Sequence, residues 1–314
     1  MSLERVNNRV VGLMACSAAI LAAAIGCSRE RREPSHASTT DAGRPVPEVA
    51  PLAIPSSASS ASAATSPPGP MILLRGGTFQ MGTDGVGPGT ENMRPAHAVK
   101  LPDFRIDQTE VTVAAYRACV NAGGCSAARR SFDGGHREHC TWDAAGFEND
   151  PINCVTWFQA ETYCNWAGKK LPTEEQWEYA ARGRRGRDFP WGMGIPGRDD
   201  WGVPEDVRDY VIGCDLDSPT VGSRETCPVG RAPKGNTPEG VQDMAGNVRE
   251  WTASIYCLYS APRCVAEERV VRGGDIHSSG KHFTATFRAD VEPAANRDGL
   301  GFRCAKTVAS GNSP

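Results

Sequence analysis

The stretch Tyr163-Cys-Asn-Trp-Ala-Gly-Lys-Lys-Leu-Pro-Thr-Glu-Glu-Gln-Trp-Glu-Tyr-Ala-Ala-Arg-Gly183 decides the fold, because it carries a complete helix signal. Thr173 and Gln176 have the spacing of a capping box, in which each side chain accepts a hydrogen bond from a backbone N–H that the first helical turn leaves free. Trp177 would lie on the inward face of the helix that begins here. Gly183 would end it, because glycine readily adopts the left-handed conformation that closes a helix.

Two further helices are predicted on the N-terminal side of this stretch. Thr156 and Gln159 form a second capping box, and Gly168 stops the helix that follows. An earlier helix follows Thr112 over residues 113–120 and ends at a pair of glycines. Short strands are predicted over 72–74, 78–81, 98–106, 269–272, 283–288 and 301–304. With 34 Gly and 23 Pro in the chain, loops and turns outnumber long helices, so the predicted fold class is α+β with much irregular structure.

The N-terminus has the features of a bacterial lipoprotein signal. Two arginines precede a run of apolar and small residues over 10–26, which ends in Ala24-Ile-Gly-Cys27. Small residues before a cysteine suit a lipoprotein signal peptidase, so we expect residues 1–26 to be removed and Cys27 to carry lipid. An ordinary secretory signal and a single membrane anchor are the alternatives, since about 17 residues is the short limit for spanning a bilayer.

The rest of the chain divides by composition. Residues 27–70 are rich in Ser, Ala and Pro without apolar periodicity, which predicts a disordered tether. A folded domain over 71–309 and a tail over 310–314 follow. The formal net charge of -3 argues against nucleic acid as a partner, because phosphate binding needs a clustered basic face. We expect a monomeric domain held by lipid at the bacterial cell envelope, in the periplasm or at the outer-membrane surface.

Cysteine usage agrees with export. Of the 12 cysteines, all but Cys16 and Cys27 lie in the predicted domain, and an even set in an exported protein indicates disulfides. The sequence does not fix their pairing, but cysteines close in the chain meet most readily. This favours Cys119 with Cys125, Cys140 with Cys154, Cys214 with Cys227, and Cys257 with Cys264. Cys164 and Cys304 remain, and would close a long loop.

A series of motifs follows along residues 71–306. They are Gly76-Gly-Thr-Phe-Gln-Met-Gly82, Pro95-Ala-His-Ala-Val-Lys-Leu101, Glu110-Val-Thr112, the stretch 163–183, Phe189-Pro-Trp-Gly192, Asn236-Thr-Pro238, Asp243-Met-Ala-Gly-Asn-Val-Arg-Glu-Trp251, Val271-Arg-Gly-Gly274 and Gly301-Phe-Arg-Cys304. In this order they resemble the formylglycine-generating enzyme, or sulfatase-modifying factor, family. The resemblance implies a variant of the C-type lectin fold, with a long-range disulfide that matches Cys164 and Cys304.

The resemblance also implies where an active site would lie. Family enzymes oxidise a cysteine of a sulfatase Cys-x-Pro-x-Arg segment to formylglycine, using oxygen, copper(I) and two closely spaced cysteines after the Gly-Gly pair. Counted from Gly273-Gly274, those positions hold Ser278 and Phe283, and no cysteine lies between Cys264 and Cys304. A hydroxyl or a phenyl ring does not replace a thiolate as a ligand of copper(I). We therefore expect neither copper nor formylglycine-generating activity.

Two hypotheses for the altered centre stay open. In one, the domain is a binding or interaction module for an unknown protein, peptide or envelope ligand. In the other, Asp275, His277, Ser278 and His282 form a rebuilt centre, and the domain is an oxidoreductase or metal-dependent enzyme of the same family. The same residues also suit a polar loop at a pocket rim, and the stretch lacks the motifs of a serine hydrolase or a zinc protease.

Calcium is the cofactor that the resemblance implies. Family domains bind a structural calcium ion through a Gly-Asn-x-x-Glu-Trp segment, which this chain contains. Asn247 and Glu250 would supply side-chain oxygens and Val248 a backbone carbonyl, which are the hard ligands that calcium takes. The alternative is that Glu250 pairs with an arginine, Arg249 or Arg303.

Overall fold

A computed structural model describes residues 69–86, 89–130, 139–194, 210–211, 226–260, 264, 267–278 and 280–308. These residues belong to one compact unit, Ser60–Pro314. The predicted signal, the lipidation site at Cys27, the tether up to residue 68, Cys214 and the tail over 310–314 lie outside the described ranges. No helix in the described part of the chain is long and apolar enough to cross a membrane.

Three α-helices form where the sequence predicts them. They are α1 (Val113–Asn121), α2 (Trp157–Trp166) and α3 (Glu174–Arg182). Both capping boxes are present, at the starts of α2 and α3. The Oγ1 atom of Thr112 accepts a hydrogen bond from the backbone N–H of Ala115 at the start of α1. Local side-chain chemistry thus sets where each helix begins.

The strands build three small sheets. They are β1 (Met71–Leu74), β2 (Gly77–Met81), β3 (His97–Leu101), β4 (Phe104–Asp107), β5 (Arg249–Ile255), β6 (Arg269–Arg272), β7 (Arg288–Val291), β8 (Leu300–Gly301) and β9 (Ala305–Thr307). The strand orders are β1-β4-β9, β2-β3 and β7-β6-β5-β8. Neighbouring strands are antiparallel except β5 and β8, which are parallel.

Some strand predictions were wrong. The segment 98–106 is two strands, β3 and β4, separated at Pro102, which has no N–H to donate to a ladder. The segment 283–288 is not a strand: a 3-10 turn over Gly280–Phe283 comes first, and β7 begins only at Arg288. The segment 301–304 divides between β8 and the approach to β9.

Strand β5 was missed by the sequence analysis, although it lies between β6 and β8 in its sheet. Glu250 and Thr252 are both fully buried on it, on either side of the buried Trp251. From Glu250 to Ile255 polar and apolar residues alternate, which is the pattern of a strand. The segment was considered only as part of the motif over 243–251, so the strand was overlooked.

The core has two main parts. Trp251 packs with residues of α1, α2 and the segment around Phe302 in one cluster. Trp177 of α3 packs with Phe104 and Ile106 in the other. Both indole rings are fully buried.

Four disulfides have both cysteines among the described residues. They join Cys119 to Cys125, Cys140 to Cys154, Cys164 to Cys304, and Cys257 to Cys264. These pairs confirm those favoured from the sequence. Cys227 is also disulfide-bonded, while its predicted partner Cys214 lies outside the described ranges.

Replacing both Cys164 and Cys304 by alanine should lower the free energy of unfolding by about 5 kcal/mol, because this cross-link restricts a loop of 140 residues in the unfolded chain. The same change at Cys119 and Cys125, which are 6 residues apart, should cost only about 2 kcal/mol. Urea unfolding of the two double variants measures the difference. If the two double variants lose the same free energy of unfolding, loop length does not explain the stabilisation by the Cys164–Cys304 disulfide.

Candidate functional site

The segment after β6 turns sharply at two glycines. Gly273 and Gly274 have φ angles of 96° and 72°, in the left-handed region that glycine adopts without strain. A Cβ atom at Gly274 would lie 2.9 Å from the carbonyl oxygen of His282 and 3.1 Å from Cδ1 of Phe283. The turn therefore lies directly beside the chain at 282–283.

Ser278 is buried, and its hydroxyl is held by Asp275. The Oγ atom donates to Asp275 Oδ1 at 2.6 Å and accepts from the backbone N–H of Asp275 at 3.0 Å. An Nη2 N–H of Arg249 also approaches this oxygen, at 3.5 Å. The serine hydroxyl thus has a fixed orientation among charged neighbours.

Asp275 is paired with Arg249 in turn. The Nε atom of Arg249 lies 3.1 Å from Asp275 Oδ2, and the guanidinium lies 6.0 Å from the centre of the Phe287 ring. Gly299 allows this carboxylate its position, because a Cβ atom at residue 299 would meet Asp275 Oδ2 at 2.4 Å. Both oxygens of Asp275 thus have side-chain partners, Ser278 at Oδ1 and Arg249 at Oδ2.

Each of the two histidines of the predicted centre has a contact of its own. The Nε2 atom of His277 lies 3.3 Å from Asp298 Oδ1, and the His277 side chain is 47% exposed. His282 instead packs edge-on against Phe287, with ring centroids 4.7 Å apart. The interactions that fix Ser278 therefore come from Asp275 and Arg249, not from a histidine that could act as its general base.

Phe283 occupies an apolar environment. Its ring is buried in a cluster with Phe189, Val211 and Ala245, against which Trp191 also packs. The two positions that correspond to the family's cysteines therefore differ sharply. Ser278 lies in a charged, hydrogen-bonded network, whereas Phe283 lies in a small hydrophobic cluster.

Asn247 and Glu250 have protein partners in place of a cation. Asn247 Oδ1 accepts from the backbone N–H of Cys227 at 3.0 Å, and its amide donates to the carbonyl of Cys227 at 3.2 Å. Both oxygens of Glu250 accept from Arg303 at 2.7 Å, and Oε2 also accepts from Trp177 Nε1 at 2.9 Å. The arginine alternative for Glu250 is thus present, and the predicted set of Asn247, Val248 and Glu250 does not fit calcium as the side chains stand.

Two buried acids that the sequence analysis did not select lie nearby. Apart from a side-chain hydrogen bond between their two carboxyl groups, both carboxylate oxygens of Glu110 and the Oδ1 atom of Asp243 are buried without a partner among the described residues. Burial, with Asp243 next to it, holds the pKa of Glu110 well above its usual value. Burial likewise raises the pKa of Asp243. Asp243 has a positive φ of 57°. The sequence signals for the pair were the two motifs that contain them, 110–112 and 243–251.

In the part of the chain that the structure describes, no three His, Cys, Asp or Glu side chains are grouped as an evident metal site. The Glu110–Asp243 pair is instead a buried acidic pair that needs neutralisation. If Glu110, Asp243 and Glu250 are all ionised, three negative charges face the single positive charge of Arg303. A shared proton or a cation can supply the balance.

Comparisons with known proteins agree with the motif order. The family model described as "Sulfatase-modifying factor enzyme 1-like domain" matches residues 56–308. Hercynine oxygenase of Mycolicibacterium smegmatis is 32% identical over 281 residues, which are 76% of this chain and 62% of that protein, so the chain spans less than two thirds of that relative. Inactive C-alpha-formylglycine-generating enzyme 2 of Bos taurus is 31% identical over 277 residues, 75% of this chain and 87% of that protein.

A solved structure supports the same relationship. The structure of PvdO from Pseudomonas aeruginosa matches with 26% identity and a TM-score of 0.58, over 76% of this chain and 94% of that one. The short helices, small sheets and disulfides described above form the α+β, C-type-lectin-like architecture that the resemblance implied. The chain therefore belongs to the family of sulfatase-modifying factor enzyme 1-like domains.

Proposed function

We propose that this chain is an exported, lipid-anchored binding module that lacks formylglycine-generating activity. The observation that carries the proposal is the state of the two positions where the resemblance calls for thiols. Ser278 is fixed by Asp275 and Arg249, and Phe283 is buried among apolar side chains. Neither supplies the soft ligand that copper(I) needs. The Bos taurus relative, which matches this chain over 87% of its own length, is likewise described as inactive.

The rim of the site is suited to binding. The side chains of Arg249 and His277 are 27% and 47% exposed, and each is held from one side by a carboxylate, Asp275 and Asp298 respectively. Such preorganised donors lose little conformational freedom when a ligand arrives. They fit carbonyl and carboxylate oxygens of a protein, a peptide or an envelope ligand.

The rebuilt-centre hypothesis has weaker support. Its main argument is the likeness to proteins described as hercynine oxygenase, of which this chain spans only part. Against it, His277 and His282 contact different partners, Asp298 and Phe287. A catalytic centre needs such groups to converge on one reacting atom.

Incubation with a Cys-x-Pro-x-Arg peptide, copper(I) and oxygen should yield no aldehyde, as read by mass spectrometry of the peptide. The purified domain should also bind no copper(I). The double variant Ser278→Cys/Phe283→Cys should bind about one copper(I) per chain, because two thiolates then adjoin. The single variant Ser278→Cys is the matched control and should bind copper(I) at least tenfold more weakly. Aldehyde formation by the unaltered chain would overturn the proposal.

We also propose that the domain takes up calcium at Glu110 and Asp243 rather than at Asn247. The support is the set of buried carboxylate oxygens that no N–H or hydroxyl group among the described residues satisfies and the excess of negative charge around Arg303. When bound, calcium would neutralise these acids and join the segment before α1 to the loop before β5. Glu250 contributes charge, while Arg303 occupies both of its oxygens.

Calcium should raise the melting temperature of the unaltered domain, and a chelator should lower it. At calcium one hundred times above its dissociation constant the stabilisation is about 2.7 kcal/mol. Glu110→Gln should abolish this response, whereas Glu148→Gln, which changes a half-exposed acid, should retain it. If a shared proton balances the pair instead, calcium will leave the melting temperature unchanged and Glu110→Gln will not be destabilising.

The lipid anchor at Cys27 and the location in the bacterial cell envelope are part of the same proposal. Their support is the lipobox-like sequence and the cysteine content alone. In this arrangement the segment 27–70 connects the anchor to the folded domain, and Pro70 precedes β1 directly.

A further inference from the structure

The β1-β4-β9 sheet has one face in the core and one face outside it. Leu74, Phe104, Ile106 and Ala305 belong to a single buried cluster. Side chains alternate between the two faces along each strand. The residues between them therefore share the opposite face, which we call the outward face.

The outward face carries a compact set of charged and aliphatic side chains. Its exposed and half-buried members are Leu73, Arg75, Asp103, Arg105, Lys306 and Val308, while Asp107 at the end of the same face is buried against Lys169. Leu73 is directly opposite Arg105 in the β1–β4 pair, and Arg105 is directly opposite Lys306 in the β4–β9 pair. Arg75 and Asp103 form an ion pair with Nη1 and Oδ2 2.7 Å apart.

Arg105 and Lys306 are both exposed, and neither forms a salt bridge with a described residue. Like charges directly opposite in a sheet are destabilising. Arg75 is paired with Asp103 and Lys169 with Asp107. Arg105 and Lys306 are therefore the two cations of this face without an ion-pair partner among the described residues, while the whole chain has a formal charge of -3. The fold gains no ion pair from these two positive charges.

We propose that the outward face rests on an anionic phospholipid bilayer. Guanidinium and ammonium groups attract lipid phosphates, and the half-buried Leu73 and Val308 provide aliphatic contact at the boundary. The point at which the tether joins the domain argues for this occupant: the carbonyl of Pro70 accepts a hydrogen bond from the backbone N–H of Gln108, directly beside this sheet. A chain anchored at Cys27 would hold this sheet close to the membrane. The inference rests on the proposed anchor and not on the proposed binding site.

The test uses the mature chain from residue 27, expressed without residues 1–26 and with Cys27→Ser, so that neither a lipid nor the apolar run over 10–26 can hold it to a vesicle. Co-sedimentation compares vesicles of pure phosphatidylcholine with vesicles that contain phosphatidylglycerol. We expect binding only to the anionic vesicles, weakened by salt. Arg105→Glu/Lys306→Glu should reduce the affinity by at least about tenfold, because each cation near the surface contributes to the attraction.

Two further variants separate a surface effect from damage to the fold. Arg105→Glu alone creates a Glu–Lys cross-strand pair, so its melting temperature should not fall while its vesicle binding does. Arg185→Glu, at an exposed cation on the loop after α3, should leave vesicle binding unchanged. Equal affinity for neutral and anionic vesicles, no binding to either, or full binding by the Arg105→Glu/Lys306→Glu variant would overturn the inference. The copper and peptide results would stand in each case.

Discussion

The structure depends on one buried ion pair between Arg303 and Glu250. Both side chains are fully buried, and two hydrogen bonds of 2.7 Å join the guanidinium to the carboxylate. The other N–H groups of Arg303 donate to backbone carbonyls of 107–108 and 242–243. One arginine thereby fixes β5, the end of β4 and the loop before β5 relative to one another. Removing one partner of such a pair leaves an uncompensated buried charge, at a typical cost of about 3–5 kcal/mol.

The Arg303–Glu250 pair and its contacts help to position the altered centre, but they do not determine which side chains line it. Trp177 of α3 donates to Glu250, and its ring lies 3.1 Å from where a Cβ atom of Gly273 would be. The double-glycine turn is therefore packed against Trp177, which is itself tied to the ion pair. Ser278 and Phe283 follow this turn in the chain, and neither forms a hydrogen bond or salt bridge with Arg303 or Glu250 among the described contacts. A family fold can thus persist while the site that it once presented takes a different character.

The parts of the fold that could be predicted are those determined by neighbours in sequence. Capping boxes at Thr156 and Thr173 depend on residues three positions away, so their helices were located correctly. The two acids Glu110 and Asp243 were not found, because only burial by partners far along the chain distinguishes them. Strand β5 was overlooked although polar and apolar residues alternate over 250–255. Glu250 had two arginines as candidates, and only the folded arrangement selects Arg303.

The amino-acid sequence alone determined the helix starts, the family, and the absence of a thiol between Cys264 and Cys304. These properties depend only on which residues are present and on their spacing over a few positions. Tertiary structure alone decided that Glu250 is neutralised by an arginine 53 positions away and that Asn247 binds the backbone at Cys227. The physical reason is desolvation: once water is excluded, each polar group must pair with whatever the fold brings within about 3 Å, and the order of residues does not reveal that distance.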